Sequence, residues 1–97
     1  MLCAVNQVPP FDTTLHWPTE IEGTKMENYL GWMKSACRIT VTFCPAASVP
    51  AGFTPEGLPV GIQIVGRYRD DLGVLRIAHA FEQATRVGQQ RPAIVRV

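Results

Sequence analysis

The chain has 97 residues, 46% of them hydrophobic and 18% charged, with a formal net charge of +1 at neutral pH. That is one domain or part of one, since domains most often run to roughly 100–150 residues. The apolar content excludes disorder, and the near-zero charge gives no electrostatic reason to expect nucleic acid or a membrane surface as partner.

Cys3, Cys37 and Cys44 are odd in number and lack metal or disulfide spacing. Cys37 and Cys44 fall on the apolar stripe described below, which fits free thiols acting as small hydrophobes in a reducing compartment. The first residues carry no basic leader region, and no run approaches the ~20 apolar residues needed to span a bilayer. A cytoplasmic setting follows as the expectation.

Residues 2–5 read as a very short buried strand. Residues 6–23 contain Pro9, Pro10 and Pro18 and no helical or strand period, so they are expected to run as a long extended segment. Its apolar side chains, Phe11, Leu15 and Trp17, want the surface of a larger protein to lie against. Thr24-Lys25-Met26-Glu27 has the form of a capping box. From there Met26, Tyr29, Leu30, Met33, Ala36, Cys37, Thr40, Val41 and Cys44 follow helical spacing. Residues 39–43 are β-rich by propensity, but the unbroken period predicts one long helix over 24–44, ended by Pro45. Gly31 inside it marks close approach of another element.

Residues 46–53 and 58–65 then read as two strands joined by Thr54-Pro55-Glu56-Gly57, a type I turn by its Pro and Gly positions. Val60, Ile62 and Ile64 share one face of the second strand; Gly61, Gln63 and Val65 share the other. Both faces are apolar enough for an internal strand with cover above and below. Pro50 lacks the N–H a ladder needs, so its strand is an edge or is irregular there. Arg67 and Arg69 read as a solvated loop. A second helix over 70–88 starts at Asp70 or Asp71, buries Val74, Ile77, Ala78, Phe81 and Ala84, and ends with Arg86 in its last turn and Gly88 at C′. Ile94 and Val95 of the tail are expected to dock.

Little here can carry chemistry. Nucleophilic catalysis needs a nucleophile, an activating base and donors for an oxyanion. The serines are Ser35 and Ser48 and the lysines Lys25 and Lys34. Ser35 and Lys34 are neighbours on a helix, diverge by about 100° and do not pair. Ser48 lies on a strand between Ala47 and Val49 and reads as structural. Cys44 at a helix C-terminus meets a dipole that disfavours thiolate. His16 and His79 read as surface or half-buried imidazoles, and Asp70-Asp71 as a helix cap. No Gly-rich run leads into a helix with a Lys as a phosphate loop requires. No catalytic, cofactor-binding or metal-binding residue is therefore expected, and no cofactor.

The segment Val49-Pro50-Ala51-Gly52-Phe53, followed by Gly57-Leu58-Pro59-Val60-Gly61-Ile62-Gln63-Ile64-Val65-Gly66, resembles the closing segment of the amidase signature family. The helix around Asp71-Leu72-Gly73-Val74-Leu75-Arg76-Ile77-Ala78-His79-Ala80-Phe81-Glu82 fits the same resemblance. Gln7-Val8-Pro9-Pro10-Phe11-Asp12 and Trp17-Pro18 look like its bacterial members, and the match runs from Leu2 to about Pro92. The resemblance implies an α/β fold, a fragment of a large mixed sheet flanked by helices, and a single partial domain over 1–97.

It also implies hydrolysis of carboxamides through a Ser–cis-Ser–Lys triad, none of whose positions matches a residue of this chain. The segment alone is expected to be inactive and to complete a missing N-terminal catalytic portion. The alternative is an interaction module that assembles with a separate chain or with itself through exposed strands. The resemblance places Gly57 to Gln63 near the wall of the active-site region, with Gly61 permitting tight packing and Gln63 satisfying buried backbone groups. Two departures stand out. Relatives often have Gly ahead of Pro45, where this chain has Phe43-Cys44. The glutamine-using amidotransferase branch carries an Asp roughly where Met33 stands, which points to a simple amidase.

Overall fold

The computed structural model describes residues 1–91, so the expected docking of Ile94 and Val95 lies outside the described residues. A three-stranded antiparallel sheet organises the chain, in the order β1, β5, β4, with β1 at Leu2–Ala4, β4 at Ala46–Phe53 and β5 at Pro59–Val65. The internal strand is therefore β5, as its two apolar faces predicted. The hairpin closes as the turn residues require: the Gly57 N–H donates to the Thr54 carbonyl at 2.8 Å, and the Thr54 N–H to the Leu58 carbonyl at 2.8 Å. Gly57 itself takes φ +89°, a left-handed conformation that glycine adopts without steric cost.

Pro50 lies on an edge strand, and the register also slips there, from Pro50 opposite Gly61 to Gly52 opposite Val60. A bulge beside a residue that has no N–H spoils that edge for further pairing. At the other edge, Leu2 pairs with Ile64, Cys3 with Gln63 and Ala4 with Ile62. The strand expected there is present but not buried: Leu2 is 58% exposed.

The second helix, α2, spans Asp71–Thr85. Asp70 is its cap, accepting the Gly73 N–H at 3.0 Å, while Asp71 places a charge in the first turn. Its end corrects the sequence reading. The helix stops at Thr85, Arg86 itself adopts φ +53° with its N–H on the Glu82 carbonyl, and Gly88 falls inside a following 3-10 turn, Val87–Gln89. Val74 is buried and Ala78 and Phe81 half-buried, but Ala84 is exposed and Ile77 is half open. The helix lies on the sheet face carrying Ala47, Val49, Ile62 and Ile64: these alternate on paired strands, and Val49 shares a groove with Phe81.

The long helix over 24–44 is not formed. Thr24–Lys25 is a strand, β3, paired with β2 at Glu20–Ile21. Glu22 and Gly23 between them both take positive φ, 49° and 80°, the two-residue turn that matches hairpin twist. That hairpin consumes the residues of the expected capping box. Helical geometry begins only at a 3-10 turn, Gly31–Met33, continued by α1 at Lys34–Thr40. It ends where the β-branched residues begin to compete for their own backbone: Thr40 Oγ1 donates to the Ala36 carbonyl and Thr42 Oγ1 to the Ile39 carbonyl. The expected period thus stops at Thr40, and residues 41–43 form a turn. Gly31 marks no close approach, since a side chain there would meet nothing nearer than 3.8 Å.

Ile64, Val65 and Val74 form the buried hydrophobic core among the described residues, Ile64 alone being fully buried. A radius of gyration of 15.2 Å and extents of 39 × 37 × 21 Å describe a slab, wider than the roughly 12.5 Å of a compact domain of this length. Leu72 and Leu75 on α2 and Val41 and Phe43 after α1 are each more than half exposed.

Candidate functional site

A concavity with aromatic walls lies where the loop after β1 passes the start of β5. Val5, Pro10, Phe11, Trp32, Pro59 and Gly61 are among its lining residues, and its volume is about 330 Å³. Local chemistry fixes each wall. The Asn28 side chain accepts the Gly31 N–H at 3.0 Å and so starts the 3-10 turn that presents Trp32. Gln7 Oε1 accepts the Ser35 N–H at 3.1 Å, tying the loop to α1. Gly61 forms the floor: a side chain there would press on the Val49 carbonyl at 3.3 Å and on Ser48 Oγ and Val5 Cγ2 at 3.4 Å. The tight packing expected at Gly61 is therefore observed.

Phe11 stands edge-on to Trp32, with ring centroids 5.6 Å apart at 87°. Tyr29 meets Trp32 at 5.9 Å and 89°, and Trp17 meets Tyr29 at 6.4 Å and 85°. Edge-to-face geometry is the favoured one for such rings. Phe11 and Trp17 thus find their surface within this chain, whereas Leu15 stays 47% exposed. Sequence reading missed Trp32; four aromatic residues within 11–32 were the available signal. The indole N–H groups of Trp17 and Trp32 and the hydroxyl of Ser35 are buried without a hydrogen-bond partner among the described residues.

A second, polar depression of about 530 Å³ is lined by Lys25, Glu27, Lys34, Ser35 and Arg38 among others. Of the residues weighed for catalysis, Ser35, Lys25 and Lys34 line this depression, whereas Ser48, Cys44, His16 and His79 lie outside it. The Ser35 hydroxyl does not engage Lys34, in line with their divergence on the helix. Ser48 is exposed on the sheet face opposite α2. Cys44 lies beyond the end of α1 and half-buried, so the dipole argument made for it lapses; Cys37 is exposed, not part of a buried stripe. His16 and His79 are both exposed, as are Arg67 and Arg69, the latter with its guanidinium 5.6 Å from the Tyr68 ring centre. Gln63 accepts a long contact from Cys3 Sγ at 3.6 Å rather than serving buried backbone. No group of three or more His, Cys, Asp or Glu with metal-binding geometry occurs among the described residues. No described helix is long and apolar enough to cross a membrane.

Two carboxylates sit below their ordinary range. Asp12 is held down by the Thr14 N–H, which it accepts at 2.8 Å, and by the Thr14 side chain. Glu56 is held down by its own backbone N–H and by the Thr54 hydroxyl. Both are turn residues, and neither belongs to the aromatic cleft.

Residues 1–75 match the family model described as Amidase. The chain belongs to the amidase signature family. Among the curated relatives, the A-type subunit of the glutamyl-tRNA(Gln) amidotransferase of Brevibacillus brevis is 45% identical over 67 residues, which is 67% of this chain and 14% of that protein. Its counterpart in Geobacillus thermodenitrificans is 56% identical over 50 residues, 52% of this chain and 10% of that one. A crystal structure of a bacterial aryl acylamidase of the amidase signature family superposes with a TM-score of 0.75 at 30% identity, covering 91% of this chain and 18% of the acylamidase. The chain thus spans between a tenth and a fifth of the relatives it matches, and its mixed α/β architecture is that of an amidase signature segment.

Proposed function

We infer that this chain is the C-terminal portion of an amidase signature hydrolase acting on carboxamides. Its sheet and α2 complete a fold whose Ser–cis-Ser–Lys triad belongs to a separate N-terminal catalytic portion. The observation that carries this reading is the pairing of two facts. The chain superposes over 91% of its length on 18% of a family enzyme, while the Ser35 hydroxyl has no hydrogen-bond partner among the described residues and Ser48 is exposed on the sheet face away from α2. The core of few buried residues and the slab shape support it, since large apolar side chains such as Leu72 and Leu75 are left uncovered. On this reading the chain alone hydrolyses no amide, and its partner is the catalytic portion.

The test is complementation. An aryl acylamidase lacking the matching segment, mixed with the purified chain, is expected to regain release of aniline from acetanilide. Neither component alone is expected to release any. Hydrolysis by the chain alone, surviving a mock purification control, overturns the inactivity; no gain on mixing overturns the completing role.

A second reading, assembly of the chain with itself, is favoured by the β1 edge, where no strand lies beyond Leu2 and Ala4 among the described residues. Light scattering separates the two: a stable homodimer that excludes the catalytic portion supports self-association. The identity to the amidotransferase proteins also raises a transamidating role, whereas Met33 at the position expected for an Asp supports simple hydrolysis.

A further inference from the structure

We propose that the polar depression between β3 and α1 binds a small molecule through a phosphate group. The site is distinct from the aromatic cleft, with which it shares only Gln7 among the lining residues. It asks nothing of the amidase reading and adds a binding function to the same chain.

The cations of the depression come from two elements. Lys25 lies on β3, and Lys34 and Arg38 lie four residues apart on α1, on one helix face. Like charges at that spacing repel and weaken a helix, a cost that an anion held between them cancels. Against these cations, Glu27 is the one carboxylate in the lining among the described residues. Such a cluster in one concavity suits a single compact anion. The phosphates of a nucleic acid call for a basic stripe, which a net charge of +1 gives no reason to expect.

The neutral groups of the wall are donors as well. Gln7 Oε1 accepts the Ser35 N–H at 3.1 Å, and Asn28 Oδ1 accepts the Gly31 N–H at 3.0 Å. Those bonds spend the oxygen end of each amide and leave its NH₂ end, which donates. The Ser35 hydroxyl is buried with no hydrogen-bond partner among the described residues, a state that costs stability until an acceptor is supplied. A carboxylate brings one charge and two oxygens. A phosphate monoester brings about two charges and three strong acceptor oxygens, the better match to this set of donors. The volume of about 530 Å³ falls within the roughly 300–1,000 Å³ of small-molecule sites, so an organic group fits beside the phosphate.

The experiment titrates the ¹⁵N-labelled full chain with inorganic phosphate, glycerol 3-phosphate, acetate and chloride in turn, at neutral pH and one ionic strength. Both phosphates are expected to move the Ser35 amide and the Gln7 and Asn28 side-chain NH₂ signals saturably and to leave the His79 amide in place. Glycerol 3-phosphate is expected to bind more tightly than inorganic phosphate; the reverse order overturns the small-molecule assignment in favour of the free ion. Lys34→Gln and Arg38→Gln, both at exposed positions, are each expected to weaken phosphate roughly 2- to 5-fold, and Glu27→Gln to tighten it. Equal response to acetate or chloride, no response of Ser35, or charge variants without effect overturns the site. A short RNA that displaces glycerol 3-phosphate at lower concentration overturns the choice of ligand. An undispersed spectrum overturns the site too, because the depression is built wholly from residues of this chain. Hydrolysis plays no part in the readout, so failure here leaves the complementation result standing, and failed complementation leaves a measured affinity standing.

Discussion

Gly66 and Val74 touch so closely that a single added carbon on Gly66 would overlap Val74 Cγ2. The contact joins the residue that follows β5 to Val74, the buried side chain of α2. Gly66 also donates its N–H to the Pro45 carbonyl at 2.9 Å, so its backbone is not free to retreat. Val74 is β-branched and stiff at χ1. Gly66→Ala is therefore expected to destabilise the chain by about 1–3 kcal/mol, the usual cost of overpacking. Denaturant unfolding measures it, and Val74→Ala in the same molecule should recover part of the loss; additive losses would show that the two residues do not meet.

Phe43 holds φ +59° and is 80% exposed. A bulky side chain in the left-handed region costs roughly 1–2 kcal/mol, against about 0.4–1 kcal/mol for the greater freedom glycine brings to the unfolded chain. With almost no burial to lose, Phe43→Gly is expected to stabilise by about 0.5–1 kcal/mol and to raise the melting midpoint by roughly 2–8 °C. An unchanged or lower midpoint in a calorimetric scan contradicts this.

Asp70 accepts the Gly73 N–H, and a side chain on Gly73 would run into that same carboxylate. Asp70→Ala is expected to cost about 0.5–2 kcal/mol, as lost N-caps do. Asp71→Asn removes only a charge near the helix start, worth about 0.3–1 kcal/mol. Comparing both variants by helical circular dichroism on heating gives the order; a larger effect at Asp71 would refute the assignment of the cap.

Acidification should weaken the fold through Asp12 and Glu56. Both are lowered from ordinary values of 3.8 and 4.5. A depressed carboxylate contributes stability above its unfolded pKa and loses it as pH falls through the folded one. The loss should thus appear below about pH 4. Carbon-13 titration of the two carboxylates checks the direction, and midpoints at or above the ordinary values would reverse the sign. Thr14→Val should leave most of the Asp12 depression in place, because the backbone N–H is its larger cause.

The hairpin and α2 were readable because single residues decided them. Pro55 and Gly57 set the turn, Pro50 spoiled its own edge, and Asp70 stood where a cap must stand. The region before α1 was not readable in the same way, since two signals overlapped at Thr24. A capping box and a hairpin turn compete there, and Gly23, preceding Thr24 and free to take φ +80°, favours the turn. Periodicity over 26–44 then joined residues that share a spacing but not an element. The aromatic cleft escaped because its walls come from positions 5–11, 32 and 59–61, a coincidence of tertiary structure that no local pattern encodes. Likewise the left-handed Arg86 displaced the expected stop at Gly88, as packing of the 3-10 turn against β4 outweighed the preference for glycine.

The pairing of Met1 with Val65 sets a delay. The two are 64 positions apart, so at roughly 5–20 residues per second of synthesis β1 waits about 3–13 s for its neighbour to be made. The β4–β5 hairpin needs only microseconds once both strands exist. During that interval β1 is the earliest and longest-idle strand of the sheet, and whatever strand is already present beside the ribosome has first claim on it.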